Sequence, residues 1–296
     1  MRHTFPSFLM MRAFIVGSPL AISSDSLGVT QLSGAQLAQL LPEIKAMILS
    51  KANELRSHFA VLKELTAEKI ALIRDGLAPE FVFVPSMPGS SIRLADPMKR
   101  TFETRLRSKY RSLMQQRKAL FQRSGAKWEL YENFSPIASE MHSLYENVLD
   151  KSKTKFEILT PEFFASLSEQ LKQNAIVLLA RREGAPLAFG LILFSRCHAN
   201  LIYVGLDYAS RDETASYYNI FYRAIEEAES RGCETISVGQ TTYESKAILG
   251  ATFFNLTLGL APLTRLSKFL ISRFSSALFP VIETPERRVF KNFPRN

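Results

Sequence analysis

The stretch between Asn174 and Ala251 constrains the fold more than any other part of the chain. Two apolar runs of strand length flank the turn sequence Glu-Gly-Ala-Pro, which predicts a β-hairpin. The elements predicted here are strands Ala175–Arg181, Leu187–Phe194 and Asn200–Leu206, helix Thr214–Arg231 and strand Thr235–Val238. A hairpin followed by a strand–helix–strand unit needs antiparallel and parallel pairs in one sheet, so we expect a mixed α/β fold.

The helix predicted over Thr214–Arg231 has start and stop signals. Ser210 and Glu213 have the spacing of a capping box, and Gly232 follows the last periodic residue. The inner face is predicted to carry Tyr217, Phe221, Ala224, Ile225 and Ala228. Because a strand ends just before this helix, its N-terminus is expected to face strand ends and to favour an anion.

The remaining elements follow from the same patterns. Predicted strands are Ala13–Pro19, Leu27–Leu32, Phe59–Leu65, Phe81–Val84, Ser91–Leu94, Trp128–Tyr131 and Phe253–Leu258. Predicted helices are Leu41–Ser57 with Pro42 in its first turn, Ala67–Asp75 ended by Gly76, the basic helix Pro97–Arg123, Pro136–Leu149, Pro161–Gln173 and Leu266–Leu278.

The composition indicates an ordinary globular protein from a reducing compartment. Hydrophobic residues make up 46% of the 296 residues, and charged residues 22%. Cys197 and Cys233 form no CxxC pair, so we expect no disulfide framework and a cytoplasmic location. The four histidines are scattered without an HExxH or Cys/His cluster, and we expect no metal site.

The first residues are expected to form a flexible tail over positions 1–11. Pro6, Arg12 and Gly17 interrupt the apolar residues there, so we do not expect a signal peptide. No apolar run approaches the roughly 20 residues that cross a bilayer.

The positive charge is concentrated in one segment. The formal net charge is +9, and Lys99–Lys127 contains ten Lys or Arg residues and the single acid Glu103, so this segment alone accounts for the excess. The candidates for binding an anionic donor or a lipid phosphate are Arg105, Lys109, Arg117 and Lys118. The alternative is a solvated helix face, and we find no nucleic-acid motif.

The residues LIYVGLDYASRDETASYYNIFYRAIEEAESRGCETISVGQTTYESKAILGA resemble the GNAT acyltransferase superfamily. They are most similar to its GNAT-like branch shared with Fem-type peptidyltransferases and peptidoglycan-biosynthesis proteins. The order of elements from Lys99 to Leu263 agrees, beginning with a basic helix that contains LRSKYRSLMQQRKALF. The resemblance implies a GNAT-like mixed central sheet flanked by helices, with a possible second, degenerate lobe before it.

The resemblance also implies a chemistry and its partners. An acyl group would pass from acyl-CoA, or in the Fem branch an aminoacyl group from tRNA, to an amine on an acceptor such as an envelope precursor. Nucleic acid is a partner only if the donor is aminoacyl-tRNA. The superfamily's glycine-rich loop before the long helix is replaced here by Arg211–Ser216, and Asp212 and Glu213 oppose an approaching pyrophosphate.

Two clusters supply the candidate site residues. The first lies around the strand-to-helix junction and contains Asp207, Tyr208, Ser216, Tyr217 and Tyr218. A phenol could protonate a leaving group and a carboxylate could accept a proton from an amine. The alternatives are that Tyr217 packs in the core against Phe221 and that Asp207 caps a turn.

The second cluster is the polar loop Gly239–Lys246, which follows a strand end directly. Loops at strand ends collect functional groups in α/β folds. Gln240, Thr241 and Tyr243 are candidates for binding substrate, Glu244 for a base, and Lys246 for holding a phosphate or carboxylate. The alternative is that each is an ordinary surface residue.

The sequence patterns predict a tail over 1–11, an N-terminal lobe over 12–96, a domain over 97–263 and a C-terminal helix with a basic tail over 264–296, and the resemblance implies that the domain over 97–263 is an acyltransferase. The leading hypothesis is an N-acyl- or aminoacyltransferase. The alternative is a catalytically silent protein of the same fold that binds an anionic envelope precursor or membrane surface. The amphipathic helix at 265–278 fits a membrane surface, packing on the main domain or a dimer contact.

Overall fold

The computed structural model describes residues 11–17, 32–152 and 157–291. Up to residue 131 the elements are β1 (Ala13–Val16), α1 (Gly34–Glu54), β2 (Phe59–Leu65), α2 (Ala67–Leu77), β3 (Val82–Pro85), β4 (Gly89–Arg93), α3 (Phe102–Arg105), α4 (Ser108–Arg123) and β5 (Lys127–Tyr131). The later elements are α5 (Ala138–Lys151), α6 (Pro161–Leu171), β6 (Ala175–Arg182), β7 (Ala185–Ser195), β8 (His198–Leu206), α7 (Arg211–Thr214), α8 (Ser216–Ser230), β9 (Thr235–Ser237), α9 (Tyr243–Ile248), β10 (Thr252–Phe254), β11 (Thr257–Pro262) and α10 (Arg265–Leu278).

The mixed α/β fold expected from the sequence is confirmed, because both sheets contain parallel and antiparallel pairs. The predicted tail and the predicted strand Leu27–Leu32 lie, apart from Met11 and Leu32, outside the described residues. Within the described ranges, no helix combines the length and the apolar character needed to cross a membrane.

The chain divides into two compact units. One contains the described residues up to Gly89 and Phe253–Thr284, and the other contains Ser90–Thr252 and the described residues from Pro285 onward. These limits differ from the expected boundaries at 96/97 and 263/264, because β11 pairs with β2 and β3 of the first unit. The assignment of 12–96 as a degenerate lobe and of 97–263 as an acyltransferase domain stays a prediction.

The first unit has a four-stranded sheet in the order β1-β2-β11-β3. Helices α1 and α2 pack on one face, where their apolar residues join Leu62 and Ala261 in one core cluster. Ile271 of α10 packs with Leu260 and Val84 in another. Because Leu260 and Ala261 are neighbours on one strand, the two clusters lie on opposite faces of the sheet.

Two boundaries in this unit differ from the sequence prediction. Helix α1 begins at Gly34 rather than near Leu41, because Ser33 and Gln36 form a capping box, and Pro42 lies inside the helix. Helix α2 continues through Gly76 instead of ending there. At Gly76 a Cβ would lie 2.8 Å from Leu41 Cβ, so the missing side chain allows the two helices to pack closely.

The second unit has a seven-stranded sheet in the order β10-β4-β9-β8-β7-β6-β5. The predicted hairpin is confirmed as β6 and β7, and β8 pairs antiparallel with β7 and parallel with β9. The side chains of α4 and α8 join one large apolar cluster with the sheet. The rings of Tyr145, Phe164, Phe189 and Tyr203 form a second group and pack edge to face.

The predicted basic helix Pro97–Arg123 is wrong as a single element. It is divided into α3 and α4 by Leu106, whose backbone is extended and forms a β-bridge with Phe290. The Arg107 N–H donates to the Val289 carbonyl, and the Lys291 N–H to the Arg105 carbonyl. The C-terminal segment therefore takes the backbone hydrogen bonds that a continuous helix would have made internally.

The close approach at Gly76 gives a stability prediction. Gly76→Ala places a methyl group 2.6 Å from Leu41 Cδ1, and the overpacking should lower the free energy of unfolding by about 1–3 kcal/mol. Gly34→Ala is the matched control, because a Cβ there meets no atom within 4 Å. Chemical denaturation of both variants measures the difference, and equal stability would contradict the packing described.

Candidate functional site

Strand β8 continues beyond the point where its pairing with β9 ends. Their parallel register covers three pairs and ends at Asn200 and Ser237, whereas β8 continues to Leu206. Beyond Ser237 the chain follows β4 instead, because the Val238 N–H donates to the Ser90 carbonyl at 3.0 Å and the Ser90 hydroxyl donates to the Gly239 carbonyl. We call this divergence the fork.

The fork leaves one side of β8 without a neighbouring strand. From Leu201 to Leu206, the strands of the described chain give β8 only β7 as a partner, on its other side. We call this stretch the open edge of β8. Asn200 marks its start, and its Oδ1 is buried without a hydrogen-bond partner among the described residues. Main-chain groups at such an edge can pair with an extended ligand.

Helix α8 follows β8 in the chain and begins after an interruption of the predicted helix. The predicted helix Thr214–Arg231 is divided at Ala215, which adopts the left-handed conformation with φ 48° and ψ 32°. The capping box predicted for Ser210 and Glu213 is wrong, because the Ser210 hydroxyl donates to Asp207 Oδ2 and Glu213 pairs with Arg182. The left-handed alanine carries a strain of roughly 1 kcal/mol or more.

Ser216 is the first residue of α8 and is fully buried. Its N–H donates to the Thr214 hydroxyl, but its own Oγ has no partner among the described residues. The first amides of a helix lack intrahelical acceptors and carry partial positive charge. The start of α8 therefore combines this hydroxyl with the partial positive charge of a helix N-terminus, although the Ser216 side chain itself is enclosed by the protein.

The two acids expected to repel such an anion are exposed and paired on α7. Asp212 accepts two hydrogen bonds from Arg211, and Glu213 pairs with Arg182. Their charges are offset by neighbouring cations, so the repulsion expected from the sequence is weakened.

Tyr217 connects α8 to the segment that follows β9. Its hydroxyl lies 3.0 Å from Thr242 Oγ1, within hydrogen-bonding distance. Burial raises the pKa of the Tyr217 hydroxyl, although the bond to Thr242 acts in the opposite direction. The ring packs against Phe221 with centroids 5.1 Å apart, so this tyrosine has both the predicted core contact and a polar contact at the fork.

The two other tyrosines of the cluster contact cations. The Tyr218 ring lies edge-on to Tyr217, and the Arg117 guanidinium carbon is 3.3 Å from its centroid. Lys151 Nζ lies 3.8 Å from the Tyr208 centroid. Cations over aromatic faces hold both rings in place. Asp207 accepts hydrogen bonds from Ser210 and the Ala209 N–H, and these outweigh burial and lower its pKa.

The predicted polar loop becomes helical partway along. Thr241 and Thr242 have left-handed backbones, and α9 begins at Tyr243, so Tyr243, Glu244 and Lys246 lie on a helix rather than a loop. Burial raises the pKa of Tyr243. Glu244 is exposed and pairs with Arg287 at 2.7 Å.

Lys246 is the most unusual residue of this segment. It is only 3% exposed, and its Nζ donates to the Gln240 carbonyl at 2.6 Å. Burial lowers its pKa to about 7. The ammonium is therefore held against the backbone of the segment where Gln240 and Thr241 were predicted to bind substrate.

The cationic candidates separate into two groups. Arg105 is buried, donates to the Arg93 carbonyl and lies over the Phe290 ring. Arg117 is fixed against Tyr218 and Tyr222, and Lys118 pairs with Glu226. These three are occupied by contacts within the protein, whereas Lys109 is exposed.

Lys109 lines a surface cavity of about 670 Å³ that we call the basic groove. Its lining residues are Arg107, Ser108, Lys109, Tyr110, Arg288 and Lys291. Four cations and no acid face this groove, which concentrates positive potential in a concavity. The groove is formed by residues of the basic segment and of the C-terminal tail, and no local sequence pattern predicts that these two segments lie together.

Sequence reasoning did not select Asn200, Thr242, Arg107, Arg288 or Lys291. Arg107 lies in the segment that carries the excess charge, and Arg288 and Lys291 lie in the basic C-terminal tail. Neither pattern indicates that the three residues share one site. Within the described ranges, no three His, Cys, Asp or Glu side chains are grouped to hold a metal ion.

Comparisons with known proteins bear on the fold. No family model matches the chain. A Mycobacterium tuberculosis (strain H37Rv) protein with the provisional name 8-amino-7-oxononanoate synthase 2 is 25% identical over 260 residues, covering 83% of this chain and 32% of that protein. The chain thus spans about a third of the length of the curated relative it matches.

Two solved structures resemble the fold of this protein over about four fifths of its chain. FemX is 11% identical with a TM-score of 0.57, covering 81% of this chain and 80% of FemX. L-PGS from Bacillus licheniformis is 12% identical with a TM-score of 0.57, covering 80% of this chain and 79% of that one. At these identities the likeness shows the fold alone, and this fold is the one expected from the resemblance to Fem-type proteins.

The buried lysine gives a pH prediction. The pKa of Lys246 is about 7 in the folded protein against 10.5 for a free lysine, so the unfolded chain binds more protons between these values. The free energy of unfolding should therefore gain a contribution that grows as pH rises from 7 toward 9. Denaturation at several pH values should show this rise reduced in Lys246→Met.

Lys109→Met is the matched control, because Lys109 is exposed and should leave the pH dependence as in the wild type. An identical pH dependence in wild type and Lys246→Met would show that Lys246 is not the buried, easily deprotonated amine described.

Proposed function

We propose that the protein is a transferase that moves an acyl or aminoacyl group from a carrier to an amine. The fork carries this proposal, because β8 has an open edge beyond Asn200 and the Tyr217 hydroxyl contacts Thr242 on the segment that follows β9. A carrier arm that contains amide groups can hydrogen-bond to an open strand edge. Its reactive carbonyl would then lie within reach of the polar groups at the fork.

The proposed reaction forms a C–N bond and breaks a C–S or C–O bond. The amine nitrogen attacks the donor carbonyl, and the electron pair of the broken bond leaves with the carrier's sulfur or oxygen. The leaving atom gains a proton, and the amine loses one. Main-chain N–H groups of the open edge would stabilise the oxyanion of the intermediate.

Tyr217 is our candidate for protonating the leaving group. Its raised pKa keeps the hydroxyl protonated at neutral pH, and Thr242 orients it. Tyr218, fixed by Arg117, and Tyr208 would line the same opening. We propose that Glu244, which is exposed at the start of α9, accepts the proton that the amine loses. Asp207 is proposed to stabilise the turn that it contacts rather than to take part in the reaction.

Lys246 is proposed to position the substrate-binding segment. Its bond to the Gln240 carbonyl fixes the backbone that presents Gln240 and Thr241, and Tyr243 begins the same helix. Since this bond comes from a buried amine, losing it would release the segment rather than remove a surface charge.

The donor's phosphates are proposed to bind at the N-terminus of α8, which begins at Ser216, and in the basic groove. Coenzyme A and tRNA both carry phosphates, so acyl-CoA and aminoacyl-tRNA are the two donor classes to be compared. Nucleic acid is a partner only in the second case. The acceptor is proposed to be an amine on an envelope precursor, which would bring the protein to a membrane surface from the cytoplasm.

A second candidate function is a catalytically silent binding protein of the same fold. Ala215 stands where a glycine would give a relaxed left-handed backbone, and Asp207 is occupied by its turn. Titration calorimetry with acetyl-CoA, longer acyl-CoAs and aminoacyl-tRNA tests the transferase proposal. No binding to any of these donors would remove it and leave the binding protein.

Replacing Tyr217 tests the assigned proton donor. Tyr217→Phe keeps the ring packing but removes the hydroxyl, so kcat should fall roughly a hundredfold with little change in KM. Tyr131→Phe is the matched control, since Tyr131 also has a bonded hydroxyl, donated to Glu129 on β5. Steady-state kinetics with the donor that binds measure both, and equal kcat values would remove Tyr217 from the mechanism.

Replacing cations of the basic groove tests the donor phosphate site. Lys109→Ala and Arg288→Ala should each weaken donor binding by roughly tenfold and reduce its dependence on salt. Arg123→Ala is the matched control, because Arg123 is exposed at the other end of the same helix as Lys109. Titrations at two salt concentrations measure the effect, and equal losses in all three variants would show only a general charge effect.

A further inference from the structure

Helix α10 packs on the sheet of the first unit through a narrow face. Ile271 is 5% exposed and joins Val84 and Leu260, and Ser267 is fully buried in the capping box with Thr264. These two residues are one turn apart, so they define the side of the helix that faces the sheet. The sequence alternative was packing on the main domain at 97–263, whereas this side of α10 packs on the sheet of the first unit, which includes Val84.

Large apolar side chains of α10 are exposed to solvent on both sides of the helix. Leu266 at 55% exposed and Phe269 at 58% lie on the side away from the sheet. Phe274 at 43% and Leu278 at 53% follow Ser267 and Ile271 by two turns, so they lie on the sheet-facing side in the C-terminal half of the helix, where they are still exposed. The rings of Phe269 and Phe274 are in contact, with centroids 6.0 Å apart. Val281, just beyond the helix, is 75% exposed. Single exposed apolar residues are normal, but contiguous ones on one element indicate a binding surface.

The charge of this segment has one sign. From Thr264 to Ile282 the sequence contains Arg265, Lys268 and Arg273 and no Asp or Glu. Arg273 lies among the exposed apolar residues, with its guanidinium carbon 6.0 Å from the Phe274 ring centroid. A helix with an exposed aromatic and aliphatic face and only basic charges is typical of segments that lie in the interface of an anionic membrane.

The same charges argue against a second copy of the chain. A two-fold contact places the same surface of both copies together, so the cations of both helices would meet with no acid on either helix to compensate them. An anionic lipid surface accepts the apolar side chains and the cations together, because long basic side chains reach the headgroups while their stems stay in the apolar layer.

We propose that the exposed side chains of α10 bind the surface of an anionic membrane. Leu266 and Phe269, on the side away from the sheet, and Phe274 and Leu278, in the exposed C-terminal half, supply the apolar contacts, and Arg265, Lys268 and Arg273 contact the headgroups. The helix lies parallel to that surface, with Ser267 and Ile271 on the sheet. This inference rests on α10 alone and does not depend on transferase activity.

Vesicle flotation tests the proposal directly. The full-length protein is mixed with phosphatidylcholine vesicles that contain or lack phosphatidylglycerol, and the bound fraction is measured. We expect binding that needs the anionic lipid. Leu266→Ser with Phe269→Ser should reduce binding by tenfold or more, and Lys268→Gln with Arg273→Gln by roughly fivefold for each charge removed.

Met47→Ser is the matched control, because Met47 is a 72% exposed apolar residue on α1 of the same unit and should leave binding unchanged. The replaced side chains are exposed, and thermal unfolding of every variant checks that the fold is kept. Binding without dependence on anionic lipid, or unaffected by the α10 variants, would overturn the proposal.

Light scattering tests the alternative that the exposed side chains of α10 contact a second copy of the chain. If the wild type forms a dimer that Leu266→Ser with Phe269→Ser dissociates, while vesicle binding is absent, these side chains form a contact between copies and the proposal is wrong. A monomer that binds anionic vesicles supports it.

Discussion

The divergence of β8 from β9 is the constraint on which the candidate site depends. Two parallel strands joined by α8 would ordinarily pair along their length, but β9 leaves after three pairs because Val238 and Gly239 bond to Ser90 on β4. The backbone beyond the fork cannot pair with both neighbours. An open strand edge is consequently built into the middle of the sheet, where a rigid scaffold surrounds it.

Two features with a cost in stability lie in the segments that follow β8 and β9. Ala215 accepts an unfavourable backbone conformation at the start of α8, and the helix then places Ser216 and Tyr217 beside the fork. On the other side, Lys246 gives up solvation to hold the Gln240 carbonyl. Strain and buried charge of this kind lower stability, and they are concentrated at functional sites more often than elsewhere.

The sequence predicted the elements with strong periodicity well, including the hairpin and the strands on either side of α8. It failed where distant contacts decide the local structure. Helix α2 was predicted to end at Gly76 but continues through it, where the glycine packs against Leu41. The predicted basic helix is divided into two helices, because Phe290 pairs with Leu106. For the site, the tyrosines and Lys246 could be selected from their position, but the buried state of Lys246 depends on tertiary packing.

We propose that the donor binds along the open edge of β8. Hydrogen exchange of the amides, measured by mass spectrometry with and without the acyl-CoA or aminoacyl-tRNA that binds, tests this most directly. We expect slower exchange in Leu201–Leu206 and in Gln240–Thr242 when the donor is bound. A donor that binds while both segments exchange at unchanged rates would contradict it.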